Sequence, residues 1–260
     1  MQRKGLAIFN LLGFLAMIAV NGLANALPIN GKTTGEISDL YPNLFVPAGF
    51  TFSIWGVIYL ALLGFIVFQL LSAWKTDHQG GIIDKIGYGF LVSAAANAGW
   101  IIAWHHEIIW LSLLIMLVLL ATLVHIYRKL GVGVRPVSRS ERYLVHAPFS
   151  LYLGWITIAT IANCTALLID LGWNGFGVDP IFWTILMLWA GVTITFRILQ
   201  SRQDVIYTIP IIWAYFGIAM KRLAETSNIT DTVCLGALLG ITIVFLSALN
   251  FSFRRKKAAI

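Results

Sequence analysis

Tyr152-Leu-Gly-Trp155-Ile-Thr-Ile-Ala159-Thr-Ile-Ala-Asn163 lies inside an apolar run that extends from Tyr143 to Ile169. A run of that length is long enough to cross a bilayer as a helix. At about 100° per residue, Tyr152, Trp155, Ala159 and Asn163 fall within roughly one quadrant of that helix. The face carries two amphipathic aromatics, one small gap and one amide. An amide at membrane depth is costly without a partner inside the protein, so this face is expected to point inward. Taken singly, each residue is explained as well by packing as by a ligand. A site requires other helices to repeat the pattern.

The whole chain has that character. It has 260 residues, of which 59% are hydrophobic and 11% charged, and its mean hydropathy is +0.84. A soluble core cannot absorb so much apolar surface, so the sequence reads as an all-α, polytopic membrane helix bundle. The formal charge of +7 does not point to nucleic acid, because the basic residues cluster at the ends of apolar runs, as membrane topology requires. Cys164 and Cys234 both fall in expected spans and read as buried thiols rather than a disulfide or metal pair.

Eight spans are expected, at about Leu6–Leu27, Pro47–Leu71, Lys85–Trp104, Ile108–Tyr127, Tyr143–Ile169, Pro180–Ile198, Val205–Met220 and Ile229–Phe251. The first is longer than a usual signal core and carries Asn10, Asn21 and Asn25, so it reads as a retained helix. Asn21 and Asn25, one turn apart, are expected to face other helices. The polar loop Ile29–Val46 is long enough to form a lid over a site. Ser93-Ala-Ala-Ala-Asn-Ala-Gly99 and Gly236-Ala-Leu-Leu-Gly240 permit close helix approach. The fourth span is mostly Leu, Ile and Val and reads as structural.

With alternating sides, Arg3, Lys4, Lys75, Lys85, Arg128, Lys129, Arg135, Arg139, Arg142, Arg197, Arg202, Arg254, Arg255, Lys256 and Lys257 share one side. Only Lys32, Lys221 and Arg222 fall on the other. This asymmetry predicts a multi-pass protein of the plasma (inner) membrane with both termini cytoplasmic.

Three spans carry polar or aromatic faces at helical spacing: Phe52/Trp55/Tyr59, Asn97/Trp100/Trp104 and Tyr152/Trp155/Ala159/Asn163. If they converge, they enclose a pocket with flat aromatic walls and a few amide and phenol groups, suited to a planar apolar ligand entering from the bilayer. Trp74, Trp104, Trp110 and Trp173, near span ends, read as interfacial belts. Trp55, Trp100 and Trp155 read as pocket walls.

These blocks resemble the TspO/MBR family, the tryptophan-rich sensory proteins that include the peripheral benzodiazepine receptor. The family's second helix carries a Pro/Ser-Val-Trp-x-x-Leu-Tyr block, similar to Pro47 and Phe52-Ser-Ile-Trp55-Gly-Val-Ile-Tyr59 here. Its third carries Asn-x-x-Trp, as in Asn97-Ala-Gly-Trp100. Its fifth carries Tyr-Leu-x-Trp-x-x-x-Ala-x-x-x-Asn, met by Tyr152, Leu153, Trp155, Ala159 and Asn163. The resemblance covers about residues 6–170. Two departures stand out: the family's Trp-x-Pro-Pro lead-in is reduced to Leu44-Phe-Val-Pro47, and three helices follow the family's five.

The resemblance implies a TspO-like core at 1–170, with three additional helices and a basic tail at 171–260. It implies an integral membrane protein that binds a porphyrin, other tetrapyrrole or sterol within its bundle, as sensor or translocator. The expected ligand-binding residues are Phe52, Trp55, Tyr59, Asn97, Trp100, Tyr152, Trp155, Ala159 and Asn163. No cofactor is required, though a porphyrin or haem-like ligand fits. Membrane lipid and a hydrophobic small molecule are the expected partners, and a homodimer stays open. The alternatives are a secondary permease for a small solute and a structural membrane protein.

Other clusters weigh less. Adjacent histidines such as His105 and His106 point to different sides, so with Glu107 they read as a polar turn rather than a metal site. His125 and His146, at helix ends, read as solvated. The Arg128–Arg142 loop could attract ligand carboxylates or anionic lipids, but fixing topology is its plainer role. No nucleotide-binding loop, Ser-His-Asp arrangement or paired intramembrane carboxylate is present, so the chain does not read as an enzyme or a proton-coupled carrier.

Overall fold

A computed structural model describes residues 2–74, 81–226 and 231–257. Lys75 and the expected start of the last span at Ile229 lie outside the described residues. Each expected span is a helix. α1 (Gln2–Ala26) ends just before Pro28, which cannot continue it. A single turn at Ile29–Gly31 leads to α2 (Thr34–Asp39). Thr33 and Glu36 close a capping box at the start of α2, each side chain accepting from the other's backbone N–H. α3 (Ile54–Ala73), α4 (Gly81–Ile86), α5 (Gly89–His105) and α6 (Ile109–Leu130) follow. α6 stops at Gly131, whose φ of 68° is cheap only for glycine.

A short turn, α7 (Arg139–Glu141), opens into α8 (Ala147–Asp170). α9 (Pro180–Arg202) starts on an Asp179 cap with proline in its first turn. α10 (Thr208–Thr226) and α11 (Thr232–Lys257) complete the chain. Asp231 caps α11 by accepting from the Val233 and Cys234 amides.

Among the described residues, six helices are long and apolar enough to cross a membrane: α1, the turn at Gly49–Ser53 with α3, α6, α7 with α8, α9, and α11. The protein is a multi-pass, all-helical membrane bundle. α5, at 17 residues, is short for a crossing. α10 carries Lys221, Arg222 and Glu225 near its end. Both are nonetheless packed along their length, α5 on α1 and α6 and α10 on α8 and α11. Small residues allow the close approaches. A Cβ on Gly13 of α1 would press into Leu91 of α5, and one on Gly240 of α11 would press into the Tyr215 ring of α10.

Charges mark the two ends of the bundle. At one end the Arg3 Nε donates to Asp84 Oδ2 at 2.9 Å, Lys4 sits over the Trp74 ring, and the Arg202 guanidinium stacks on Tyr127. At the other, Lys32 pairs with Glu107 at 2.6 Å, Lys221 with Asp39, and Arg222 with Glu225. Between them a buried aromatic cluster of Phe65, Phe90 and Phe149 joins α3, α5 and α8, with centroids 5.1 to 6.3 Å apart. Above that cluster, toward the Lys32 end, lies the polar part of the interior.

Candidate functional site

Trp55 is the centre of this region. Its ring stacks on Tyr59, one turn further along α3, at 5.3 Å. It lies 6.2 Å from Trp100 of α5, and 5.9 and 6.1 Å from Tyr152 and Trp155 of α8. Phe52 meets Trp155 edge-on at 6.2 Å, and Trp100 stacks on Trp104 at 5.8 Å. The aromatic faces of the three helices therefore meet in one box, with mostly tilted and edge-on rings, as quadrupoles prefer.

The amides tie the box to its neighbours. Asn21 Nδ2 of α1 donates to Asn97 Oδ1 at 2.7 Å, and Asn97 Nδ2 donates to Tyr152 Oη at 2.9 Å. Trp100 Nε1 donates to Asn163 Oδ1 at 3.0 Å. Asn163 Nδ2 donates in turn to Ser112 Oγ at 3.0 Å, whose hydroxyl donates to the Ile109 carbonyl. Three donors stay unmatched: Trp55 Nε1, Tyr59 Oη and Trp155 Nε1 are buried with no partner. Asn97 also faces the Tyr59 hydroxyl, but its amide is held by Asn21 and Tyr152, and no well-formed hydrogen bond reaches the phenol.

The nine expected site residues divide between two spaces. Phe52, Trp100, Trp155, Ala159 and Asn163 line a small cavity of about 40 Å³. Phe52, Trp55 and Tyr59 line an open cleft of about 640 Å³ between α1, α2 and α3. Phe52 is common to both. Asn97 and Tyr152 line neither and are buried in the hydrogen-bond chain beside them.

Several wall residues escaped the sequence reading. The cavity is also bounded by Phe45, Val46 and Pro47, by Trp104, and by Ala214 and Ile218 of α10. The reduced lead-in before Pro47 therefore still contributes a wall. Trp104 does not sit in an interfacial belt. It is buried, and its Nε1 donates to the Thr34 carbonyl at 3.2 Å, because α2 folds over the end of α5. Its position one turn from Trp100 was the available signal. The fourth span is not purely aliphatic in role, since its Ser112 supports Asn163. Asn21 faces α5 as expected, whereas Asn25 is exposed toward the cleft and donates only to its own helix.

The histidines also differ from expectation. His105 is fully buried rather than part of a polar turn. Its Nδ1 lies 3.1 Å from the Ile29 carbonyl, which can only accept, so Nδ1 carries the proton and Nε2 accepts from the Thr34 hydroxyl. His146 is buried, not solvated. Cys164 is half-buried and Cys234 fully so, and both are free thiols. Among the described residues no group of three or more His, Cys, Asp or Glu could hold a metal ion. The cavity walls carry no charged side chain. In the loop, where Tyr41 packs on Trp104, burial first and then the Asp170 and Glu107 carboxylates push its hydroxyl up to about 12, so it stays neutral. The region offers stacking surfaces and unpaired donors, with no nucleophile or base among its walls.

A model of the TSPO-like protein family matches residues 7–249, and the chain belongs to that family. No curated protein and no solved structure matches it.

Proposed function

We propose that this membrane protein of the TspO class binds a planar, largely apolar ligand, of porphyrin or sterol type, in the aromatic box between α3, α5 and α8. It acts as a sensor or carrier and not as an enzyme, in a plasma membrane with both termini cytoplasmic. One observation carries the reading: Trp55 Nε1, Trp155 Nε1 and Tyr59 Oη are buried and unpaired around a single set of rings. Leaving one such donor unmet costs about 1–3 kcal/mol. A ligand with acceptor atoms at the edge of a flat apolar ring system would satisfy them while stacking on the indoles.

The small cavity, at about 40 Å³, is far below the roughly 300–1,000 Å³ of ordinary ligand sites. Binding therefore requires Phe52 and Trp55, which face the open cleft, to swing aside and join the two spaces. The cleft opens between α1 and α3, under α2, and is the way in for the ligand. The test is titration of protoporphyrin into purified protein with intrinsic tryptophan fluorescence as readout. Saturable quenching is expected, and a linear, non-saturating response would remove the tetrapyrrole reading.

A further inference from the structure

At the opposite end of the bundle, between the Arg128–Arg142 loop, the start of α8, the α9–α10 turn and α11, lies a polar cleft of about 540 Å³. Its floor is rigidly built. Gly133, at φ 78°, passes so close to the Arg202 carbonyl that a side chain there would collide with it. Arg202 Nη1 donates back to the Val132 carbonyl at 3.2 Å. The Asp204 carboxyl is buried, and both its oxygens are occupied. Oδ2 accepts from Tyr127 at 2.8 Å and from Ser150 at 2.6 Å, and Oδ1 accepts from the Ile206 amide at 3.1 Å. Glu141 is committed to Arg135.

Two arginines and one histidine nitrogen remain. Arg135 Nε is buried without a partner although its Nη2 pairs with Glu141. Arg142 is exposed, and its guanidinium has no ion pair or hydrogen bond among the described residues. His146 is 5% exposed, and its Nε2 has no hydrogen-bond partner and stands 3.8 Å from Glu141 Oε1, beyond bonding distance. A buried ring nitrogen and a buried guanidinium N–H without partners are costly unless something else meets them.

We propose that this cleft binds a phosphate-type anion, with Arg135 Nε, the Arg142 guanidinium and His146 Nε2 as its donors. Asp204, the acid among the lining residues, has both oxygens occupied by Tyr127, Ser150 and the Ile206 amide, and Glu141 pairs with Arg135, so among the described residues the Arg142 guanidinium has no acidic partner. A tetrahedral oxyanion has enough acceptor oxygens for three converging groups, and arginine suits phosphate. The other ring nitrogen of His146 is held by the Leu130 carbonyl, so Nε2 donates to the anion by taking up a second proton as the anion binds. This site is independent of the aromatic box. The same chemistry is offered by an anionic lipid headgroup and by a soluble phosphate ester. Tyr143, 64% exposed at the rim, suits the headgroup level of a membrane.

The experiment compares apparent melting midpoints of the full chain in detergent with added phosphatidylglycerol, phosphatidylcholine, or sodium phosphate against chloride at equal ionic strength. Wild type should be stabilised saturably by phosphatidylglycerol, by phosphate, or by both, and not by phosphatidylcholine. Stabilisation by the lipid alone assigns a headgroup, and stabilisation by phosphate as well assigns a soluble anion. Arg142→Gln should weaken the apparent affinity about tenfold, and Arg135→Gln and His146→Gln should weaken it too. Arg128→Gln removes an equal charge from an exposed position outside the cleft and should have no effect. Equal losses in Arg128→Gln and Arg142→Gln would mean a diffuse surface field, and overturn the site. So would the absence of stabilisation by either phosphate source.

Discussion

Trp100 and Asn163 lock α5 to α8: the indole N–H donates to the amide oxygen at 3.0 Å, and the amide N–H passes on to Ser112 of α6. One side chain thus joins three helices at the floor of the cavity. An Asn163→Ala variant strands the Trp100 donor in an apolar interior. It should lose stability by about 1–2 kcal/mol, as interhelical hydrogen bonds in membranes do. Asn163→Asp keeps the acceptor and should lose less if the acid is protonated. The melting midpoints of the two variants in one detergent check this. Equal midpoints for wild type and Asn163→Ala would mean that Trp100 finds another acceptor.

Ala159 faces the cavity one turn from both Trp155 and Asn163. Ala159→Leu should fill the space, keep the wild-type melting midpoint and abolish saturable protoporphyrin quenching. In an already filled core the same change would cost about 1–3 kcal/mol and spare binding in the protein that still folds. Trp155→Phe keeps an aromatic ring but removes an unpaired N–H, so it should weaken binding less than Ala159→Leu. Trp110→Phe, at a residue exposed on the far surface, is the control for quenching unrelated to the site.

α10 clamps the turn that leads into α3. Ala48 N–H donates to the Gly217 carbonyl at 3.0 Å, Trp213 Nε1 donates to the Thr51 carbonyl at 2.8 Å, and a Cβ on Gly217 would collide with the Thr51 side chain. Gly217→Ala should therefore push α10 away from Pro47 and Phe52, destabilise the protein by about 1–3 kcal/mol and weaken protoporphyrin binding. The paired variant Thr51→Ala/Gly217→Ala relieves most of the collision and should recover both. If Gly217→Ala binds and melts like wild type, α10 is not part of the site wall.

Asp204 gives a pH signature. Burial raises its carboxyl above the ordinary value, against the hydrogen bonds from Ser150 and Tyr127 and the Ile206 and Tyr207 amides. The charged groups around it are Arg202, stacked on Tyr127, and the Arg135 and Arg142 guanidiniums that line the same cleft. The folded state then holds this proton to a higher pH than the unfolded chain does. Stability from this group is full below the ordinary carboxyl pKa and falls as pH rises through the raised one. The melting midpoint should drop between about pH 4 and the raised value, and Asp204→Asn, which keeps an acceptor for Tyr127 and Ser150, should flatten that slope. A steeper fall in the variant would reverse the assignment.

The helices and the meeting of three aromatic faces were legible because helical period and apolar length are local properties. Tyr152, Trp155, Ala159 and Asn163 share a face whatever surrounds them. Trp104 was misplaced because nearness to a span end says nothing about a loop folding over it. The Thr33/Glu36 capping box that makes α2, and so buries Trp104, is itself visible in sequence. Ala214 and Ile218 could not be chosen in advance, since any of several faces of α10 could have met α8. His146 reads like any helix-end histidine until the Arg128–Arg142 loop is seen closing over it. Asp204 sits in an ordinary polar turn whose burial comes only from Tyr127 and Ser150, distant in sequence.

The clamp between Thr51 and Trp213 joins residues 162 positions apart, and that separation sets an order of events during synthesis. Contacts so distant along the chain form late. By the time α3, α5 and α8 have left the ribosome, the aromatic box already has its rings, but its wall at Pro47 has nothing to lean on. The seam is sealed only when α10 arrives. A chain that stalls after α9 would carry the tryptophans of the box without the α10 wall that backs Pro47.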